Sequence, residues 1–303
     1  MSNPAWGPPG TGAFGAPGAG DGPQACFRHP DRPTGLRCSR CGRSACPECL
    51  REAPVGFHCV DCLAQGQRDQ RQAATVAGAP LAASAPVLTY GLIGVNVLFF
   101  LVTVLDAGGQ VLDNNRSTIF RDLALWPYGV ALGDWWRLLS SGFLHFGPLH
   151  LLVNMFALYV LGRDLEVQLG RWRFAAVYLV SLLGGSAAVM LFADPRSLTA
   201  GASGAIFGLM GGLVVVLLRL RRSVSAALGI IAINVVIGLS VPGISMAGHL
   251  GGLVVGAAAT AALVYAPRGR AVPVQVSALA VLSVVALAVI VARVLALRSQ
   301  AGL

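Results

Sequence analysis

Lysine is absent: all 22 basic residues of the chain are arginine. That absence reflects coding more than chemistry, and it points to a GC-rich, bacterial source. Charge of either sign is also scarce. Only 12% of the 303 residues are charged, against about 25% in a soluble domain, so most of this chain is not built to face water. Cysteine is missing from the entire apolar part. All seven cysteines fall between positions 26 and 62, which excludes a disulfide-stapled body. The first 25 residues have neither a basic start nor an apolar stretch, so no cleavable signal peptide is expected and the first span is expected to act as an uncleaved signal-anchor.

What is present is unevenly distributed. Residues 1–80 are polar and rich in Gly and Pro, whereas residues 86–297 are apolar stretches broken by short arginine-bearing loops. Five segments follow: a disordered tail over 1–25, a metal-binding domain over 26–62, a linker over 63–85, a membrane core over 86–266, and a further span with its tail over 267–303. The net charge of +9 would suit nucleic acid, but the arginines cluster beside apolar spans. The lipid bilayer is therefore the expected partner, and no nucleic acid is expected.

A helix needs about 20 apolar residues to cross a bilayer. Seven stretches qualify, near 86–105, 147–165, 174–193, 203–219, 224–241, 247–265 and 272–297. The fourth is short and Gly-rich. The short-loop arginines (Arg68, Arg71, Arg163, Arg171, Arg173, Arg219, Arg221, Arg222, Arg268, Arg270) put the N-terminal head in the cytoplasm and the C-terminus outside, in a multi-pass plasma-membrane protein. The segment 106–146 carries Trp126, Tyr128, Trp135 and Trp136 and reads as an outer loop lying partly in the membrane interface.

The head offers four pairs with two-residue gaps: Cys26/His29, Cys38/Cys41, Cys46/Cys49 and Cys59/Cys62. Such a gap lets two side chains reach one tetrahedral ion, and two pairs close a structural zinc site. Eight ligands imply two zinc ions. Disulfides are disfavoured by the odd cysteine count and a reducing compartment. The short Cys41–Cys46 separation favours interleaved pairing, first pair with third and second with fourth, as in a B-box or cross-brace finger. Sequential pairing stays open. His58 is an alternative to Cys59, although the spacing favours Cys59. Closed four-ligand sites leave no position for a substrate, so no cofactor is expected for catalysis. The head could also bind a cytosolic protein or touch anionic lipid.

Histidine within a span is costly and marks a functional candidate. His249 opens the sixth span. His150 and Asn154 open the second, four residues apart on one helix face. Ser203 opens the fourth, in Gly201-Ala-Ser-Gly204. With the N-terminus inside, spans two, four and six all enter from the outer side, so these residues share a depth. Neither span four nor span six contains an acid, which leaves a Ser–His dyad as the economical reading. Stripes at Gly204, Gly208 and Gly212 and at Gly248, Gly252 and Gly256 would let spans four and six touch.

Trp136-Arg137, His145, His150-x-x-x-Asn154, Gly201-x-Ser203-Gly204 and His249-x-x-Gly252-x-x-x-Gly256, in this order, resemble the rhomboid proteases over about residues 86–266. The resemblance implies an all-α, rhomboid-like six-helix bundle plus a seventh C-terminal transmembrane helix, behind a small B-box-like zinc domain. It implies Ser203 as nucleophile and His249 as general base. It also implies an oxyanion hole of His150, Asn154 and the Ser203 N–H, and an aromatic packed on the base at Phe207. His145 is expected to support the first loop. The implied substrates are transmembrane segments of other membrane proteins, cut through an acyl-enzyme. An inactive client-binding relative and a transporter are the competing readings.

Overall fold

In this computed structural model the described residues are 24–69, 74–78 and 85–301. The tail expected over 1–25 therefore lies outside them except for Gln24 and Ala25. The chain divides into two compact units, residues 1–72 and 73–303.

The first unit has two small hairpins and a helix. Strand β1 (Gln24–Ala25) pairs antiparallel with β2 (Pro33–Thr34), and β3 (Leu50–Glu52) with β4 (Phe57–Cys59). Helix α1 (Val60–Asp69) follows. The buried cluster is made of cysteines joined only by Ala45 and Leu50. With Phe27 alone packed against it, this cluster buries too little apolar surface to offset chain entropy by itself. The start of the expected linker is helical: Leu63–Asp69 continues α1, because Leu, Ala, Gln and Arg are good helix formers carried on from the Cys59–Cys62 turn.

The second unit is helical. Its elements are α2 (Val87–Asp106), three short helices α3 (Thr118–Leu123), α4 (Pro127–Leu132) and α5 (Arg137–Ser140), then α6 (Gly147–Leu169), α7 (Arg171–Phe192), α8 (Ser203–Arg219), α9 (Ser225–Ser240), α10 (Met246–Val264) and α11 (Ala271–Ala301). A helix stands at each of the seven expected spans. Four of them (α2, α7, α10 and α11) are long and apolar enough to cross a membrane, and a fifth if residues 137–143 and α6 count as one span bent by 92°. Helices α8 and α9 have 17 and 16 residues. At 1.5 Å per residue they reach about 25 Å, short of the roughly 30 Å hydrocarbon layer. This unit is a multi-pass, all-α membrane body.

Helix α10 packs most closely on α8 and α7. The glycines decide the register. A side chain at Gly252 would run into the Gly204 backbone, and one at Gly256 into Gly208. Helix α7 enters the same seam, since a Cβ at Gly185 would lie 2.9 Å from the Gly248 carbonyl. Without Cβ atoms the backbones touch, so dispersion and close dipole contacts replace the hydrophobic drive that lipid cannot supply.

The 106–146 segment is not a loose loop. Arg137 is buried beneath it, pairs with Asp134 at 2.8 Å and donates to the carbonyls of Arg121 and Ala124. Asn114, fully buried, donates to Thr103 Oγ1 and the His145 carbonyl and accepts from Gly147 N–H, each at 2.9 Å. Polar backbone that cannot find water is thus satisfied inside the fold.

Glu166 does the same for α2. Buried at 3% exposure, it accepts from the N–H groups of Leu88 and Thr89 and from Thr89 Oγ1 at 2.8–3.1 Å. A carboxylate at a helix N-terminus satisfies donors that have no intrahelical partner. Glu166→Ala is expected to destabilise the protein by about 3 kcal/mol, read as a lower unfolding temperature in detergent; Glu166→Gln should lose less.

Candidate active site and metal sites

Ser203 is the first residue of α8 and His249 lies in the first turn of α10. The glycine seam brings those two helix starts together, leaving Ser203 Oγ 2.8 Å from His249 Nε2. Phe207, one turn after the serine, stacks on the imidazole at 4.2 Å between ring centroids and 15° between planes. The ring is held flat against α8 with Nε2 aimed at the hydroxyl. When Nε2 accepts, the ring proton sits on Nδ1, which is buried and has no partner among the described residues. The pair has no third, acidic member there.

Gly201 precedes the serine with φ +137°, backbone that disfavours side chains. It also lies tight against His150: a Cβ there would stand 2.9 Å from His150 Cε1 and 3.4 Å from Ser203 Oγ. The turn therefore sets His150 beside the serine. The Phe146 N–H donates to His150 Nδ1 at 3.2 Å, so in the neutral ring Nε2 carries the hydrogen, on the side facing Gly201 and Ser203. Asn154 Nδ2 donates to the His150 carbonyl at 2.8 Å, which commits one amide hydrogen and leaves a second. The N–H groups at the start of α8 have no intrahelical acceptor. His145 is fully buried, edge-on to His150 with centroids 5.1 Å apart.

Phe146, His150, Asn154, Gly201, Ser203, Phe207 and His249 line a cavity of about 760 Å3, which Asn234 of α9 also borders, whereas His145 lies behind them. One wall is extended chain. Leu125 and Thr199 exchange two backbone hydrogen bonds at 2.9 Å, and Gly201 N–H donates to the Ser141 carbonyl at 2.9 Å. Leu198 and Ala200 alternate with these residues and border the cavity.

In the other unit the eight expected ligands form two sets, Cys26, His29, Cys46, Cys49 and Cys38, Cys41, Cys59, Cys62, the interleaved arrangement. His29 Nδ1 lies 3.4 Å from the sulfurs of Cys46 and Cys49 and 3.8 Å from that of Cys26, and Cys41 and Cys59 sulfurs are 3.7 Å apart. Tetrahedral zinc with bonds of about 2.3 Å to sulfur and about 2.0 Å to nitrogen requires separations of roughly 3.5–3.8 Å. The donors fit a metal of that size. Arg43 lies beside the second set, with Nε 3.5 Å from Cys41 Sγ and Nη2 3.8 Å from Cys59 Sγ. Its guanidinium holds the Cys41 thiol down to about 6, so this ligand is a thiolate at neutral pH.

Sequence reasoning singled out Ser203, His249, His150, Asn154, Gly201 and Phe207, and all of them stand around one cavity. It did not find Asn234, whose only signal is an amide in an otherwise apolar stretch, nor the pairing of Leu125 with Thr199, which carries no local signal. A helical membrane bundle with a serine hydroxyl hydrogen-bonded to a half-buried imidazole defines a narrow class. Residues 132–266 match the family model described as Rhomboid domain, so this part of the membrane body is similar to the rhomboid family. Similar relatives are Rhomboid protease GluP of Bacillus subtilis (strain 168), 38% identical over 59% of this chain and 35% of the relative, and RHOMBOID-like protein 6, mitochondrial, of Arabidopsis thaliana, 40% identical over 43% and 44%. Putative rhomboid protease YdcA of Bacillus subtilis (strain 168) is 35% identical over 42% and 60%. The chain spans between about a third and three fifths of the length of these relatives.

Proposed function

We propose that this chain is an intramembrane serine endopeptidase that cuts transmembrane or membrane-proximal segments of other membrane proteins. One observation carries the reading: Ser203 Oγ stands 2.8 Å from His249 Nε2 inside a bundle whose relatives are named proteases. His249 Nε2 takes the serine proton as Oγ attacks a peptide carbonyl. The negative oxygen that forms is met by the Ser203 N–H at the positive end of α8, by His150 Nε2–H and by the second amide hydrogen of Asn154. Each such donor contributes about 3–4 kcal/mol to the transition state. His249, now protonated, returns its proton to the leaving amine. Water then repeats the sequence on the acyl-enzyme and frees Ser203.

A helical substrate hides its carbonyls in hydrogen bonds. Cleavage therefore favours segments with helix-destabilising residues, which can lie extended along the Leu198–Ala200 wall. Arginine distribution supports an outward-facing active site, a head in the cytoplasm and a plasma-membrane location. The test is cleavage of a tagged single-span substrate in proteoliposomes by wild type and Ser203→Ala. Wild type should cut and the variant should not; equal cleavage by both would end the protease reading and favour a client-binding relative.

In the head the proposed metal is structural zinc, two ions per chain. Both ligand sets are complete with four donors, so the metal supplies folding energy and no open coordination position. Metal analysis of the purified protein should give about two zinc per chain. Arg43→Ala should speed chelator removal of one ion only, because Arg43 offsets the charge of the all-cysteine set; equal release rates in variant and wild type would contradict that role.

A further inference from the structure

Helix α11 lies outside the segment that matches the rhomboid domain and contributes no residue to the cavity around Ser203, yet its packing leads there. One face of α11, Ala286, Ile290, Val294 and Leu297, is buried in a cluster with Leu125, Val130 and Leu138 of the first-loop region and with Val189 and Met190 of α7. Two arginines fix the same face. Arg298 Nε donates to the Ala131 carbonyl at the end of α4 at 2.6 Å, and Arg293 Nε donates to the Met190 carbonyl near the end of α7 at 3.1 Å. A guanidinium beside helix C-terminal carbonyls satisfies orphan acceptors and opposes the negative end of the dipole.

The first-loop region in turn holds the chain before the serine. Leu125, buried in the α11 cluster, exchanges two hydrogen bonds with Thr199. Ser141 accepts from Gly201, two residues before Ser203, and Ser186 of α7 ties back to the Leu138 carbonyl at 2.7 Å. An unbroken path of packing and hydrogen bonds thus joins α11 to Gly201, whose placement sets the distance between His150 and Ser203.

We propose that α11 is a positioning brace for the active site: through Arg298 and the Ile290–Val294 face it fixes the first-loop region, and through Leu125–Thr199 it fixes the extended segment that presents Ser203 and the oxyanion donors. Arg298 is a positioning residue and touches no substrate. The inference rests on the protease reading. A displacement near 1 Å in such a site lowers turnover by about a hundredfold, so partial release of the brace should lower it by about tenfold.

The test uses the full chain in proteoliposomes, with two readouts: the kcat and KM of substrate cleavage, and the rate at which a fluorophosphonate labels Ser203. Arg298→Gln, and Ile290→Ala with Val294→Ala, should each lower kcat and the labelling rate about tenfold while KM stays within twofold. Arg298→Lys should recover most of the loss. Val291→Ala with Leu295→Ala removes similar volume from the exposed face of the same helix and should leave both readouts unchanged. Unaltered kcat and labelling in the Arg298→Gln and Ile290/Val294 variants would overturn the proposal, as would an equal loss from the Val291/Leu295 pair. Failure of wild type itself to label would strike the protease reading instead, before any α11 variant is compared.

Discussion

Ser203→Ala and His249→Ala are each expected to abolish cleavage, and the double variant to lose no more than either alone. The hydroxyl and the imidazole act as one unit across the 2.8 Å contact. Without the imidazole the hydroxyl keeps its proton and is a poor nucleophile; without the hydroxyl the imidazole has no proton to take. The loss should be on the order of a millionfold in kcat, as for hydrolases in which serine and histidine cooperate. Stability should hardly change, since both side chains border an open cavity. Rates from single-turnover cleavage at saturating substrate, for the two single variants and the double, check this. Additive losses would mean that the two groups contribute separately.

Gly252→Val is expected to be the most damaging substitution away from the reacting atoms. A Cβ at this position would fall onto the backbone of Gly204, the residue next to the nucleophile, so no rotamer relieves the clash. The two helices must separate. Overpacking of this kind costs about 1–3 kcal/mol or more, and the separation falls where α8 presents Ser203 to α10. A shift near 1 Å is enough for about a hundredfold loss. Activity should therefore drop by at least that factor in protein that is still folded in detergent, with a lowered unfolding temperature. Gly229→Val, at a glycine of α9 with open space around it, should change neither quantity appreciably. Equal behaviour of the two variants would show that the α8–α10 seam does not set the site.

The same seam shows what could be read from the sequence. Glycines at four-residue spacing at 204, 208 and 212 and at 248, 252 and 256 are a local pattern, and a local pattern survives in one dimension. So do the two-residue gaps among the cysteines and the positions of Ser203 and His249 at the starts of their helices. Gly184 and Gly185, which bring α7 into the seam, sit in a sequence with no such period. Glu166 follows Arg163 and Asp164 in the same helical turn, and nothing in its neighbourhood announces that it serves the start of α2, 77 residues away. The first-loop region is opaque for a related reason. Trp136 is exposed, as a residue at an interface would be, and also donates its indole N–H to the Asp122 carbonyl at 3.0 Å. Arg137, an exposed-looking charge, is buried to satisfy carbonyls. Such partners are set by tertiary contact, where propensity and pattern have no reach.

The central claim is that Ser203 is made nucleophilic by His249. Its most direct measurement is peptide mapping by mass spectrometry after treating the protein in membranes with a fluorophosphonate. One adduct is expected in wild type, on the peptide containing Ser203 and at that residue, and none within the same time in His249→Ala. An adduct on another serine, or equal modification of Ser203 with His249 replaced, would contradict it.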